Sequence, residues 1–113
     1  MQTYRSLRLS GPAKKDIANI AAFTAQRWGV MQKRRYVSKL GDALALLCER
    51  PDLGRPRDDV NDGLRAYHVA KHIIFYRETE GRLVVVRILH VRMDVVIPRC
   101  DDKDPYRSFQ GPL

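Results

Sequence analysis

The hydrophobic pattern along this chain is strand-like, then helical, then strand-like again. Residues 4–9 alternate Tyr4, Ser6 and Arg8 against Arg5, Leu7 and Leu9, which predicts an edge strand. Over residues 12–28, Ala13, Ile17, Ile20, Ala21, Thr24 and Trp28 fall at helical spacing, with Lys14, Lys15, Asp16 and Asn19 off the stripe. A second stripe of Tyr36, Leu40, Ala43, Leu44 and Leu47 predicts a helix over residues 31–49. Beyond residue 63 the pattern becomes that of strands: the runs 64–69, 71–77 and 82–90 are rich in Val, Ile, Tyr and Phe.

Punctuation residues agree with these limits. Ser10 or Gly11 can cap the first helix, and Pro12 suits its first turn, where the missing N–H has no partner to lose. Gly29 closes that helix and Pro51 stops the second. Residues 51–59 read as a loop, Asn61-Asp62-Gly63 as a turn, and Thr79-Glu80-Gly81 as a hairpin connection. Residues 95–97 can add a short strand ended by Pro98, and residues 99–113 read as a tail that is flexible or ordered by a partner. The expectation is one domain over residues 1–98, of α+β class and order β-α-α-β-β-β: an antiparallel sheet with an N-terminal helical hairpin on one face.

That architecture sets a packing problem. Leu83-Val84-Val85-Val86 and Ile73-Ile74-Phe75-Tyr76 are continuous apolar runs, so both sheet faces need cover. The hairpin covers one, and nothing left in the chain looks long enough to cover the other. A bare face of Val and Ile interleaved with basic residues is therefore expected, a surface that invites a partner.

Charge sharpens the choice of partner. Against 13 Asp+Glu stand 21 Lys+Arg, a net charge of +8, which points to nucleic acid or an acidic protein. The basic residues are spread along the chain, so no tail marks a nucleic-acid arm. Cys48 and Cys100 form neither a metal spacing nor a disulfide framework, and Cys48 reads as a reduced core thiol. The start has no secretory apolar region, and the run at residues 43–48 is too short to span a bilayer, so the chain reads as cytoplasmic. No metal or cofactor is expected.

Among residues that can carry chemistry, His68, His72, Tyr76, Arg65, Arg87, His90 and Arg92 are the types that cleavage at a 2′-hydroxyl would need: base, acid and cations. Each also has a plain structural role. His90 ends a strand, where an imidazole packs half-buried; His68 and His72 flank a turn and suit the surface. Alternation puts Arg87 with Leu83, Val85 and Leu89 on an apolar face, costly unless it meets a carboxylate, internal or from an acidic partner, and the partner is preferred. Arg55 and Arg57 shape the loop around Pro56, and Trp28 packs under the hairpin. A nucleic-acid-binding module would need exposed aromatics for stacking, whereas Tyr67, Phe75 and Tyr76 read as core.

Six segments in order, Ser10-Gly11-Pro12-Ala13, Arg27-Trp28-Gly29, Gly54-Arg55-Pro56, Gly63-Leu64-Arg65, Ile73-Ile74-Phe75-Tyr76-Arg77 and Ile88-Leu89-His90-Val91-Arg92-Met93-Asp94, give the chain its family character. Over about residues 3–94 it resembles the RelE/ParE toxins, on the ParE branch of type II toxin–antitoxin modules. The resemblance implies a small toxin, silenced by a ParD-like antitoxin and acting on DNA gyrase without being a catalyst; direct DNA binding by the toxin alone is not expected. It assigns antitoxin contact to Trp28, Tyr36, Leu40, Arg65, Arg87 and Arg92, and target contact to Arg92, Met93 and Asp94. The RelE-like alternative cuts messenger RNA on the ribosome, and would rest on His90, Arg87, Arg65 and Tyr76. Two departures weigh against it: after His90 no tyrosine appears until Tyr106, and the loop over residues 51–62 holds arginines but no lysine.

Overall fold

Ser10 is the joint between sheet and helices. In the computed structural model, which describes residues 6–92, its N–H donates to Val85 O (3.0 Å), its hydroxyl donates to Val86 O (2.8 Å), and the same oxygen accepts from Ala13 N–H (3.0 Å). One side chain thus caps α1 (Gly11–Trp28) and pins the end of β1 (Ser6–Leu9) to β5 (Arg82–His90). Gly29, at φ 98°, closes α1 and opens α2 (Val30–Glu49) with no further residue between them. That left-handed conformation costs glycine little. A 3₁₀ turn at Pro51–Leu53, β2 (Arg55–Pro56), β3 (Arg65–Val69) and β4 (His72–Thr79) complete the order.

The five strands form one sheet in the order β1-β5-β4-β3-β2. The helical hairpin and the β3-β4-β5 meander are as expected. The sheet is mixed, however, and not wholly antiparallel: β1 runs parallel to β5, with Ser6 opposite Arg82 and Leu9 opposite Val85. Alternation identifies a strand but carries no information on its direction. The two-residue β2, inside the segment read as loop, pairs with Ala66 and Arg65. The possible strand at 95–97 and the tail at 99–113 lie outside the described residues.

The main core lies between hairpin and sheet. Ile20, Leu40, Leu44 and Leu47 pack against Ile74, Tyr76, Leu83, Val85 and Ile88, with Cys48, a free thiol, half-buried beside them. The second sheet face is not bare. Ile73, Phe75 and Leu89 are buried there together with Val60 and Leu64, which come from the loop between β2 and β3. That loop curls back through bonds from Arg57 N to Leu64 O (2.7 Å) and Val60 N to Arg57 O (3.0 Å), and the Arg57 guanidinium lies over the Phe75 ring. A short loop carrying two apolar side chains supplies the cover that the sequence pattern assigns to no element of the chain.

A bulge in β5 changes which residues face the helices. Tyr76 pairs with Val85 but Phe75 pairs with Arg87, so Val86 is the extra residue. Leu83 and Val85 lie under the hairpin, and after the bulge it is Ile88, not Leu89, that joins them. Arg87 is buried, and its carboxylate is internal. Its Nε and Nη2 donate to the two oxygens of Asp16 at 2.7 and 2.8 Å, and Ile88 N–H adds a third bond to Asp16 at 2.9 Å. Asp16, read from the helical stripe as an outward residue, is thus enclosed in the core.

Tyr76 is equally committed to structure. Its hydroxyl accepts from Gly54 N–H and donates to Pro51 O, both at 2.7 Å, tying the 3₁₀ turn to the sheet. A Cβ on residue 54 would run into the Tyr76 hydroxyl and ring, so glycine is required there by close approach.

Two stability outcomes follow. Asp16→Ala removes the carboxylate bonded to the buried Arg87 guanidinium, and the unfolding free energy by urea titration is expected to fall by about 3–5 kcal/mol. Tyr76→Phe leaves the buried Gly54 N–H without its acceptor, with an expected loss of about 1–3 kcal/mol by the same measurement.

Candidate functional site

Where β4 begins and β5 ends, the sheet and the hairpin leave a cleft of about 650 Å³. Its floor comes from the antiparallel pairing that sets His72 directly opposite His90. The two rings meet edge-on, centroids 5.4 Å apart. Tyr36, from α2, stands against His72 in the same manner, and its hydroxyl lies 2.6 Å from His72 Nδ1. That hydroxyl also accepts from Lys71 N–H (3.2 Å), while His90 Nδ1 accepts from Arg92 N–H (3.2 Å).

One wall is α1. Asn19, Ile20, Phe23 and Arg27 follow one another along its length, with Trp28 at its end. Phe23 and Trp28 are 57% and 61% exposed, and Val30 and Met31, just across Gly29, are exposed as well. The Arg27 guanidinium lies 5.5 Å from the Trp28 ring. Arg27, Lys71 and Arg92 supply positive charge, and no carboxylate lines the cleft among the described residues.

The environment decides the protonation of His72. Burial pushes its pKa down to about 4, the neighbouring His90 pushes the same way, and Asp16 opposes both. His72 is therefore neutral at pH 7. The Tyr36 phenol is pushed up by burial, partly offset by the Lys71 N–H, and remains a phenol. Nothing here resembles a metal centre: among the described residues no three His, Cys, Asp or Glu side chains converge. Among the described residues, too, no helix is long and apolar enough to cross a membrane.

The sequence candidates divide sharply. Trp28, Tyr36, His72, His90 and Arg92 share this cleft. Leu40 is a core residue and Arg87 is enclosed with Asp16, so neither offers a surface to an antitoxin. Arg65 sits on β3, where it donates to Gly54 O. The set His90, Arg87, Arg65 and Tyr76 is therefore not one site: Tyr76 and Arg87 are buried in structural roles, and Arg65 serves the β2 end of the sheet. His68 is exposed on β3 outside the cleft, and Met93 and Asp94 lie outside the described residues. Phe23, Arg27 and Lys71 are not among the contact residues expected from the sequence, although Arg27 belongs to one of the family segments. Phe23 carried a usable signal, a large apolar residue one position off the helical stripe.

The lowered pKa of His72 gives a pH signature with a definite sign. The unfolded chain takes up a proton near pH 6.5 and the folded chain only near pH 4, so stability is full above about 6.5 and declines as pH falls to about 4. His72→Gln is expected to flatten that decline, read from urea midpoints measured across this range.

Comparison with known proteins agrees with the fold and gives the family. The family model for the ParE toxin of the type II toxin–antitoxin system parDE matches residues 7–95. Toxin ParE1 of Mycobacterium tuberculosis is 40% identical over 88 residues, covering 77% of this chain and 90% of the relative. Toxin ParE1 of Caulobacter vibrioides is 34% identical over 87 residues, covering 77% and 90%. Among solved structures, the chromosomal ParDE system of P. aeruginosa superposes with a TM-score of 0.69 at 18% identity, over 78% of this chain and 97% of that one. The toxin–antitoxin complex RelBE2 of Mycobacterium tuberculosis gives 0.58 at 17% identity, over 80% and 94%; these two likenesses concern the fold alone. With its hairpin, its sheet and most of its length matched, the chain belongs to the ParE toxin family of type II toxin–antitoxin systems.

Proposed function

We propose that this chain is the toxin of a parDE-type pair and that its antitoxin docks an acidic, apolar segment along the tip of the hairpin and into the cleft. The observation that carries this reading is the surface itself: Phe23, Trp28, Val30 and Met31 are exposed together, beside Arg27, Lys71 and Arg92. An isolated exposed apolar residue means little, but a group of them rimmed by one sign of charge suits a partner of the opposite sign. The family is that of the toxin of parDE systems, which supports the same partner class, and a solved structure of the same fold is itself a toxin–antitoxin complex.

For the free toxin, we propose inhibition of DNA gyrase by surface contact rather than by catalysis, in the cytoplasm. The support is the family together with the dispersal of the ribonuclease set, whose Tyr76 and Arg87 serve the fold. One observation favours the second reading, messenger-RNA cleavage: His72, His90 and Arg92 share an open cleft.

Two experiments separate these possibilities. For docking, Phe23→Ala and Trp28→Ala are each expected to weaken binding to the co-expressed antitoxin by about 2 kcal/mol or more, roughly 30-fold, by calorimetry with the fold checked by circular dichroism. For the target, purified protein is expected to reduce gyrase supercoiling and to leave ribosome-bound messenger RNA intact. His90→Ala is expected to weaken supercoiling inhibition gradually, whereas a nuclease would lose roughly 10²–10⁴-fold. Codon-specific cuts with normal supercoiling would overturn the gyrase reading.

A further inference from the structure

The hydrogen bonds around the histidine pair fix where its protons lie. Lys71 N–H already donates to the Tyr36 oxygen, so the phenol's own proton must go elsewhere. His72 Nδ1 is 2.6 Å away and Val69 O 3.5 Å, and the shorter contact takes it. His72 Nδ1 is then an acceptor, and the neutral ring carries its proton on Nε2. His90 Nδ1 accepts from Arg92 N–H, which places the His90 proton on Nε2 by the same reasoning. Two imidazoles directly opposed on neighbouring strands therefore each carry an N–H donor, and both rings line a cleft that no described carboxylate lines.

A donor pair of this kind suits an anion and repels a metal ion. A cation would need the bare Nε2 lone pairs, so both rings would have to change tautomer and give up their present bonds. An oxyanion needs only the donors as they stand, with Lys71 and Arg92 beside them supplying the positive charge. The remaining charged groups nearby do not compete, since Asp16 is enclosed with Arg87 in the core.

We propose that the inner end of the cleft, formed by His72, His90, Lys71 and Arg92, is an oxyanion site whose occupant is a carboxylate side chain of the antitoxin segment. This rests on the docking reading above. A carboxylate has one oxygen for each of the two N–H donors. The site is continuous with an apolar wall of Ile20, Phe23 and Trp28, which fits a carboxylate carried on a peptide with apolar neighbours better than it fits a free ion. The acidic residue is thereby placed: it lies next to the apolar anchors that cover Phe23 and Trp28.

The test uses the full chain and its co-expressed antitoxin. His90→Leu removes the donor and is expected to weaken the complex about tenfold, while His90→Gln, which keeps an N–H, is expected to retain most of the affinity. In the complex of the unaltered chain, histidine-selective ¹⁵N spectra are expected to show protected Nε2–H protons on both rings. In the free chain, acetate is expected to shift those signals more than inorganic phosphate does. A larger response to phosphate would overturn the carboxylate assignment. Equal affinities for the Leu variant and the unaltered chain, with unprotected imidazole protons, would overturn the site while leaving the docking reading intact. Absence of any complex at micromolar concentration would overturn the docking reading and the proposed occupant with it, and histidine signals that still respond to acetate would then retain the anion site alone.

Discussion

The Asp16–Arg87 pair fixes how the helices sit on the sheet, and the cleft depends on it. Each partner is costly in the core alone, and together they are held by two parallel bonds between guanidinium and carboxylate plus the Ile88 N–H. A hydrophobic contact would let α1 slide by a fraction of a turn; a bidentate pair with a backbone donor specifies one position. From Asp16, α1 runs on to Ile20, Phe23 and Arg27. From Arg87, β5 runs on to Ile88 and His90 and the chain continues to Arg92. The two paths leave the ion pair as the two sides of the cleft.

Much of the fold was legible because its signals are local. The stripes of both helices, the break at Gly29 and the turn at Thr79-Glu80-Gly81 each depend on a few neighbouring residues, and the elements follow them closely. What was not legible is what distant residues do to one another. Asp16 looked like a solvated position because a periodicity argument assigns polar residues outward, and only the fold reveals the arginine that waits for it 71 residues later. Alternation along β5 fails at Val86 for a related reason: the bulge advances the phase by one, so Leu89 and Ile88 exchange the faces that a regular strand would give them. The cover on the second face was invisible because Val60 and Leu64 lie in a segment too irregular to read as an element.

The site was legible in part. Trp28, Tyr36 and Arg92 were named as contacts and His90 as a chemical group, and they share one cleft, but nothing in their spacing joins them. They meet because the end of β5 lies beside the start of β4, with the hairpin above both. Leu40 and Trp28 show the limit most plainly: both lie on apolar stripes, yet one is core and the other open to solvent. A stripe defines a direction around a helix but not how far the underlying sheet extends, and Trp28 stands at the last turn of α1.

The parallel pairing of β1 with β5 has a consequence for how the protein is made. Ser10 is bonded to Val85 and Val86, and Asp16 to Arg87, so β1 and α1 both wait for β5. Closing such distant contacts is slow, because the entropy of ordering the intervening chain is lost before the contacts form. On the ribosome, the hairpin emerges long before β5 and has neither its sheet nor the partner of its buried carboxylate. A chain of this design has no native cleft until Arg87 through Arg92 have left the exit tunnel.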